Sequence, residues 1–175
     1  MSEQSENTSK VVVVPCSGIG KTYGSVSRQA AYCLTEDLRP EQTELVALSL
    51  LVLGDPAARA LVVDNPALTI DGCKLACATK MVQESGGTVA QDFAVLDVYR
   101  RYKQFKPHGI AELNEGGLQL AQALAQEIAD RVDQLLAPLS PSGIGDVGKG
   151  KHYNQIPPPL SLPGSGAGGE GKADG

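Results

Sequence analysis

Short apolar runs alternate with stretches of mixed polarity along the first hundred residues. Four consecutive valines make Lys10–Val14 a β-branched run, which predicts a strand buried on both faces. The strand ends at Pro15, and a loop with two glycines follows it. The apolar spacing after this loop predicts a helix from about Thr22 to Leu38, which ends at Arg39–Pro40 because proline cannot continue a helix.

The middle of the chain has a less decisive pattern. Thr43–Leu53 is largely apolar, and it suits either a second strand or a strand followed by a helical turn. Gly54–Asp55–Pro56 then interrupts the pattern. The elements predicted beyond it are a short helix over Ala57–Val63, a strand over Pro66–Ile70, a helix over Lys74–Glu84 and a strand over Thr88–Leu96.

The last part of the chain changes character twice. Residues 97–108 are basic and aromatic, which suits a loop or a short surface helix, and Ile110–Leu136 has the spacing of one long amphipathic helix with a break at Gly116–Gly117. Everything after Ala137 is rich in Pro, Gly and Ser, which predicts a flexible tail. The expected organisation is a disordered segment over residues 1–9, a domain over residues 10–136 and a tail over residues 137–175.

The alternation of strands with helices predicts an α/β fold. The expected architecture is a small open, mostly parallel sheet with helices on its faces, a long C-terminal helix and a disordered Gly/Pro-rich tail. The length of 175 residues fits one domain.

Composition and charge exclude several classes of function. The formal charge of −5 gives no basic surface for nucleic acid. The polar N-terminus lacks the apolar segment of a signal peptide, and no apolar run reaches the length of about 18 residues that a membrane span needs. We therefore expect a cytoplasmic protein without nucleic-acid or membrane partners, and the sequence names no protein partner. In that reducing compartment the four cysteines are expected to be ligands, redox centres or core residues.

Two segments share one local plan, in which an apolar strand is followed by a loop with glycine and cysteine and then by a helix. They are VVVVPCSGIGKTYG and PALTIDGCKLACATK. In a parallel sheet all such loops leave at the carboxyl edge, where α/β folds build their sites. Cys16 and Cys73 are therefore expected on the same edge, close together if their strands are neighbours.

Cys77 adds a third thiol to this edge. With Cys73 in the first turn of the predicted helix, Cys77 would lie on the same face one turn later. A helix N-terminus lowers the pKa of thiols and so favours the thiolates that bind metals. Three thiolates suit zinc, so the sequence predicts a metal site at Cys16, Cys73 and Cys77.

The fourth ligand is left open by the sequence. Cys33 is available, but an uninterrupted helix would carry it about 20 Å from the edge, so it is expected to be a core thiol. Asp71, or a water molecule in an open position, is the better candidate. A closed set of four protein ligands would make the site structural, whereas an open position would allow chemistry.

The first loop also supports two rival interpretations. PCSGIGKT differs from a phosphate-binding P-loop only in having Pro15 for the first glycine. An anion would then be held by loop residues and the helix start, and the candidates are Ser17, Gly18, Gly20, Lys21 and Thr22. Alternatively Cys16 is a reactive thiol, although no His or Asp partner for it is evident.

The segments PCSGIGKTYGSVSRQAAY and TIDGCKLACATK resemble the DGC-domain family, which is named for the triplet Asp71–Gly72–Cys73. The resemblance covers about Val11 to Leu96 and implies a cysteine-bound zinc, with no cellular role assigned. The family carries four candidate chelating cysteines, of which three are matched here, at Cys16, Cys73 and Cys77. Many relatives place a further cysteine before the DGC strand, where this chain reads LVALSLLVLGDPAARALVV. This departure weakens the case for a four-cysteine site.

The expected function is therefore zinc binding in an unassigned cellular role. The alternatives are an enzyme that uses an open zinc or a reactive thiol on a small substrate, and a protein that binds phosphate or nucleotide through PCSGIGKT.

Overall fold

The described part of the chain, residues 10–18 and 20–137 of a computed structural model, contains one sheet of four parallel strands. The strands are β1 (Val11–Pro15), β2 (Thr43–Leu45), β3 (Ala67–Asp71) and β4 (Val89–Ala94). Their order in the sheet is β2–β1–β3–β4, and every neighbouring pair is parallel. The predicted fold class, an open parallel sheet within an α/β fold, is confirmed.

Helices cover both faces of this sheet. They are α1 (Thr22–Tyr32), α2 (Leu48–Leu53), α3 (Pro56–Asp64), α4 (Cys77–Glu84), α5 (Val95–Arg101) and α6 (Glu115–Leu136). A π-helical turn, Cys33–Leu38, continues α1, and a 3-10 turn, Lys103–Phe105, follows α5.

The valine run explains how the two layers are held together. Val11 and Val13 belong to the apolar core under α1, α5 and α6, whereas Val12 and Val14 belong to a second core under α2, α3 and α4. All four valines are fully buried, as the prediction of a strand covered on both faces requires. Burying each side chain contributes about 1.5–3 kcal/mol, so β1, one of the two inner strands, joins the two cores.

Several predicted elements are confirmed, with ends that agree to within about one residue. The first helix begins at Thr22 and reaches Leu38 as an α-helix followed by the π-helical turn. Thr43–Leu53 follows the second alternative, a short strand and then a helix. The helix predicted over Ala57–Val63 is α3, and the strand predicted over Pro66–Ile70 is β3.

Three predicted bounds are wrong. The helix expected from Lys74 begins at Cys77, because Ala76 has a left-handed backbone with φ of 51°. Val95–Leu96, expected to end the last strand, belong to α5. The long C-terminal helix begins at Glu115 instead of Ile110, since the Asn114 side chain caps it by accepting a hydrogen bond from the Gly117 N–H at 2.9 Å.

The break expected at Gly116–Gly117 is absent, because both glycines lie in the first turn of α6. The disorder expected over residues 1–9 and the tail beyond Ala137 lie outside the described residues. Within those residues, no helix combines the length and the apolar character needed to cross a bilayer.

Candidate functional site

The carboxyl edge of the sheet brings two of the predicted loops together. β1 and β3 are neighbours, with Pro15 opposite Ile70, and the Cys16 N–H donates a hydrogen bond to the Ile70 carbonyl oxygen at 2.8 Å. Neighbouring strands lie about 4.8 Å apart, so the chain leaves β1 beside the Asp71–Gly72–Cys73 triplet. The condition set for Cys16 and Cys73 to lie close together, that their strands are neighbours, is therefore met. This is also the point where the strand order reverses, which is the usual place for ligand sites in such sheets.

The buried side chain of Ser27 fixes the start of the first loop. Its hydroxyl accepts a hydrogen bond from the Cys16 N–H at 3.2 Å and donates one to the Ile70 carbonyl oxygen at 2.6 Å. One residue of α1 thus binds both strand ends. The position of Cys16 is therefore set by the fold.

Backbone contact between three glycines holds the two loops against α1. A Cβ atom built on Gly24 would lie 2.0 Å from the Gly18 Cα, and one built on Gly72 would lie 2.8 Å from the Gly24 nitrogen. Only glycine allows backbones to approach so closely. The middle residue of the DGC triplet is therefore required by packing.

Asp71 connects the end of β3 to the start of α4. It is buried, and its Oδ1 accepts a hydrogen bond from the Ala78 N–H at 2.9 Å. Its Oδ2 accepts hydrogen bonds from the N–H of Thr79 at 3.2 Å and from the Thr79 hydroxyl at 2.8 Å. A carboxylate at a helix N-terminus satisfies amides that have no partner within the helix. Asp71 therefore has a structural role at this edge, and its service as a fourth metal ligand stays a prediction.

The thiols at this edge differ in how they are held. Cys16 is buried, whereas Cys73 and Cys77 are half-buried. Cys73 precedes α4 and Cys77 is its first residue, so the prediction that one helical face carries both is wrong. The two cysteines do not share a helical face because Ala76, between them, has a left-handed backbone. The Ala76 N–H donates a hydrogen bond to the Cys73 carbonyl oxygen at 3.2 Å and closes a turn.

Cys33 lies away from this edge, at the far end of α1 where the π-helical turn begins. It is half-buried and packs against the core under α6. Burial raises the pKa of the Cys33 thiol, and the nearby Asp37 carboxylate raises it further. Both effects disfavour the thiolate that a metal needs.

The site suits zinc in the type of its donor atoms and in the placement of the backbone that carries them. All four cysteines are free thiols, which are the donors zinc prefers. Within residues 10–18 and 20–137, however, no three His, Cys, Asp or Glu side chains already stand in an arrangement that could hold a metal ion. Zinc binding would thus need side chains at the edge to move.

The candidate anion loop connects β1 to α1 as predicted. Gly18 and Gly20 have left-handed backbones with φ of 58° and 76°, and the Lys21 N–H donates to the Gly18 carbonyl oxygen at 3.1 Å. Ser17 and Lys21 are exposed, and Thr22 is the first residue of α1. The loop therefore has exposed polar groups beside a helix start, and anion binding by it stays a prediction.

Sequence reasoning missed Arg28. Its Nη1 donates a hydrogen bond to the Ser17 carbonyl oxygen, and its Nη2 donates one to the Ser25 hydroxyl at 3.1 Å. Arg28 and Tyr32 line both a cleft of about 170 Å³, which Cys16 also lines, and a second cleft of about 330 Å³. The spacing of residues could have pointed to Arg28, because residues 25, 28 and 32 fall on one side of the predicted first helix.

In a comparison with protein families, the family model described as the DGC domain matches residues 12–116. The match covers more than half of the chain, from β1 to the first turn of α6, and includes both loops of the candidate site. No curated protein and no solved structure matches the chain.

Proposed function

The chain belongs to the DGC-domain family, and we propose that it binds one zinc ion through Cys16, Cys73 and Cys77. The observation that carries this proposal is the pairing of β1 with β3, which opens two cysteine-bearing loops at the same edge of the sheet. Thiolates are ligands that zinc prefers over other protein groups in structural sites.

The proposal assigns different parts to the three residues. Cys16 is the fixed donor, because its backbone is bonded to Ser27 and Ile70. Cys73 and Cys77 are the donors that adjust, since Cys73 lies in a turn and both are half-buried. Because no three donors converge within the described residues, the proposal includes a rearrangement of the turn when the ion binds.

Metal analysis of single variants tests the proposal. Protein purified without added metal is expected to carry near one zinc per chain, and Cys16→Ser, Cys73→Ser and Cys77→Ser are each expected to lose or weaken it. Cys33→Ser is the matched control, because it makes the same chemical change outside the edge and is expected to keep the ion. Equal zinc content in all four variants would contradict the proposal.

A second candidate function is an enzyme that uses an open zinc position or the Cys16 thiol on a small substrate. The observation that favours it is that Cys16 lines the 170 Å³ cleft, so a donor of the proposed site faces space for a ligand. A cobalt-substituted protein distinguishes the two roles, because cyanide changes the visible spectrum only when a coordination position is open. An unchanged spectrum would favour a closed, structural site.

A further inference from the structure

Arg28 is a cation whose hydrogen bonds go only to neutral oxygens. Its acceptors are the Ser17 carbonyl and the Ser25 hydroxyl, and none of the ion pairs in the described residues involves it. A guanidinium has five N–H donors, so three remain after these two bonds. Glu112 lines the larger cleft together with Arg28 but forms no ion pair with it.

The smaller cleft beside Arg28 has walls of mixed chemistry. Its apolar side is formed by β1, β2 and the start of α2, and consists of Pro15, Leu45, Ala47 and Leu48. The other residues that line it are Cys16, Ser17, Arg28, Tyr32 and Ser49, so one cation and several polar residues complete its lining. At about 170 Å³ the cleft lies below the range of about 300–1,000 Å³ that is typical of pockets for drug-sized ligands, so it suits a small ligand.

We propose that this cleft binds a short organic acid, with its carboxylate paired to Arg28 and its hydrocarbon part against Leu45 and Leu48. Arginine suits this role because its planar fork matches a carboxylate in a bidentate pair. The apolar wall favours a hydrocarbon chain over a fully hydrated anion such as phosphate. The proposal does not require bound zinc: Cys16 lines the cleft, but Cys73 and Cys77 line neither described cleft.

Titration of the full-length protein with propionate tests this proposal. Binding is measured from the backbone amide NMR signals of Ala47 and Ser49, which line the cleft. Propionate is expected to shift these signals and to saturate, whereas propionamide, its neutral analogue, is expected to leave them in place. Arg28→Gln is expected to weaken propionate binding about tenfold or more, the size of one lost charged hydrogen bond. Arg59→Gln is the matched control, because it removes the same charge from an exposed arginine of α3 and should change affinity less than twofold.

A second variant guards against a loss of folding in Arg28→Gln. Ala47→Leu changes an exposed residue that lines the cleft, so it fills the space while Arg28 stays in place. It is expected to abolish binding with an unchanged circular dichroism spectrum. Phosphate binding as tight as propionate, or wild-type affinity in Arg28→Gln, would overturn the proposal. Cys73→Ser separates it from the zinc proposal, because that variant should lose zinc and still bind propionate.

Discussion

The two strand-to-helix loops at the carboxyl edge share one plan but are held very differently. After β1, Cys16 is buried and its N–H is bonded to both Ser27 and Ile70. After β3, Asp71 and Gly72 are held by a hydrogen bond and by close packing, and the chain then passes through a turn with the exposed Lys74 and Leu75 to the left-handed Ala76. A site built from these loops would have one fixed donor and two adjustable ones. Under the proposed function, such a division would allow a metal to bind without disturbing the sheet.

Among the predictions, the largest loss of unfolding free energy is expected from a substitution at the contact between the loops and α1. Gly24→Ala places a Cβ atom 2.0 Å from the Gly18 Cα, and the forced backbone shift is expected to cost about 3 kcal/mol of the free energy of unfolding. Gly20→Ala is the control, because its φ of 76° is also left-handed but nothing lies within 4 Å of the added atom. It should cost about 1 kcal/mol. Equal costs in urea unfolding would show that close approach is not what holds the loops.

The second largest loss of unfolding free energy is expected when the helix cap provided by Asp71 is removed. Asp71→Ala removes a buried carboxylate that accepts hydrogen bonds from the Ala78 N–H, the Thr79 N–H and the Thr79 hydroxyl. The expected loss is about 2 kcal/mol. Asp55→Ala is the reference, because Asp55 caps α3 by accepting one hydrogen bond from the Ala58 N–H at 2.8 Å, and it should cost about 1 kcal/mol. A smaller loss at Asp71 than at Asp55, measured by denaturant unfolding, would contradict the structural role given to the first residue of the triplet.

The smallest effect is expected at the opposite end of the sheet, where Arg39 and Asp133 pair. The hydrogen bond from Arg39 lowers the pKa of Asp133 below its ordinary value. A carboxyl whose pKa is lower in the folded state adds stability above its unfolded pKa of about 4 and loses it as pH falls through the folded pKa. Asp133→Asn should therefore flatten the decline of the unfolding free energy below pH 4 by a small amount, because the pair is partly exposed to solvent. If the unfolding free energy of Asp133→Asn falls below pH 4 just as that of the wild type does, the pair adds nothing to stability.

Patterns of burial made most of the fold predictable. Four adjacent β-branched residues favoured a strand covered on both faces, and β1 is such a strand. The plan shared by the two loops placed them at one edge of the sheet, whereas the adjacency of β1 and β3 is known only from the structure. The placement of Cys33 at the far end of an uninterrupted helix was predictable from helix length alone.

The missed features depend on contacts distant in sequence or on backbone states that composition does not reveal. The start of α4 was misplaced because alanine rarely adopts a left-handed backbone, and Ala76 does so where the Asp71 carboxylate caps the helix. Arg28 was overlooked because a polar residue on a helix is usually only a solvated surface group. Its significance comes from the cleft that β2 and α2 build beside it.

X-ray absorption at the zinc edge of the zinc-loaded protein is the most direct test of the central claim, because it counts the sulfur atoms bound to the ion. We predict three sulfurs at about 2.3 Å in the wild type and in Cys33→Ser, and two or fewer in any zinc that Cys73→Ser retains. A first shell without sulfur, or one that loses a sulfur in Cys33→Ser and none in Cys73→Ser, would contradict the account.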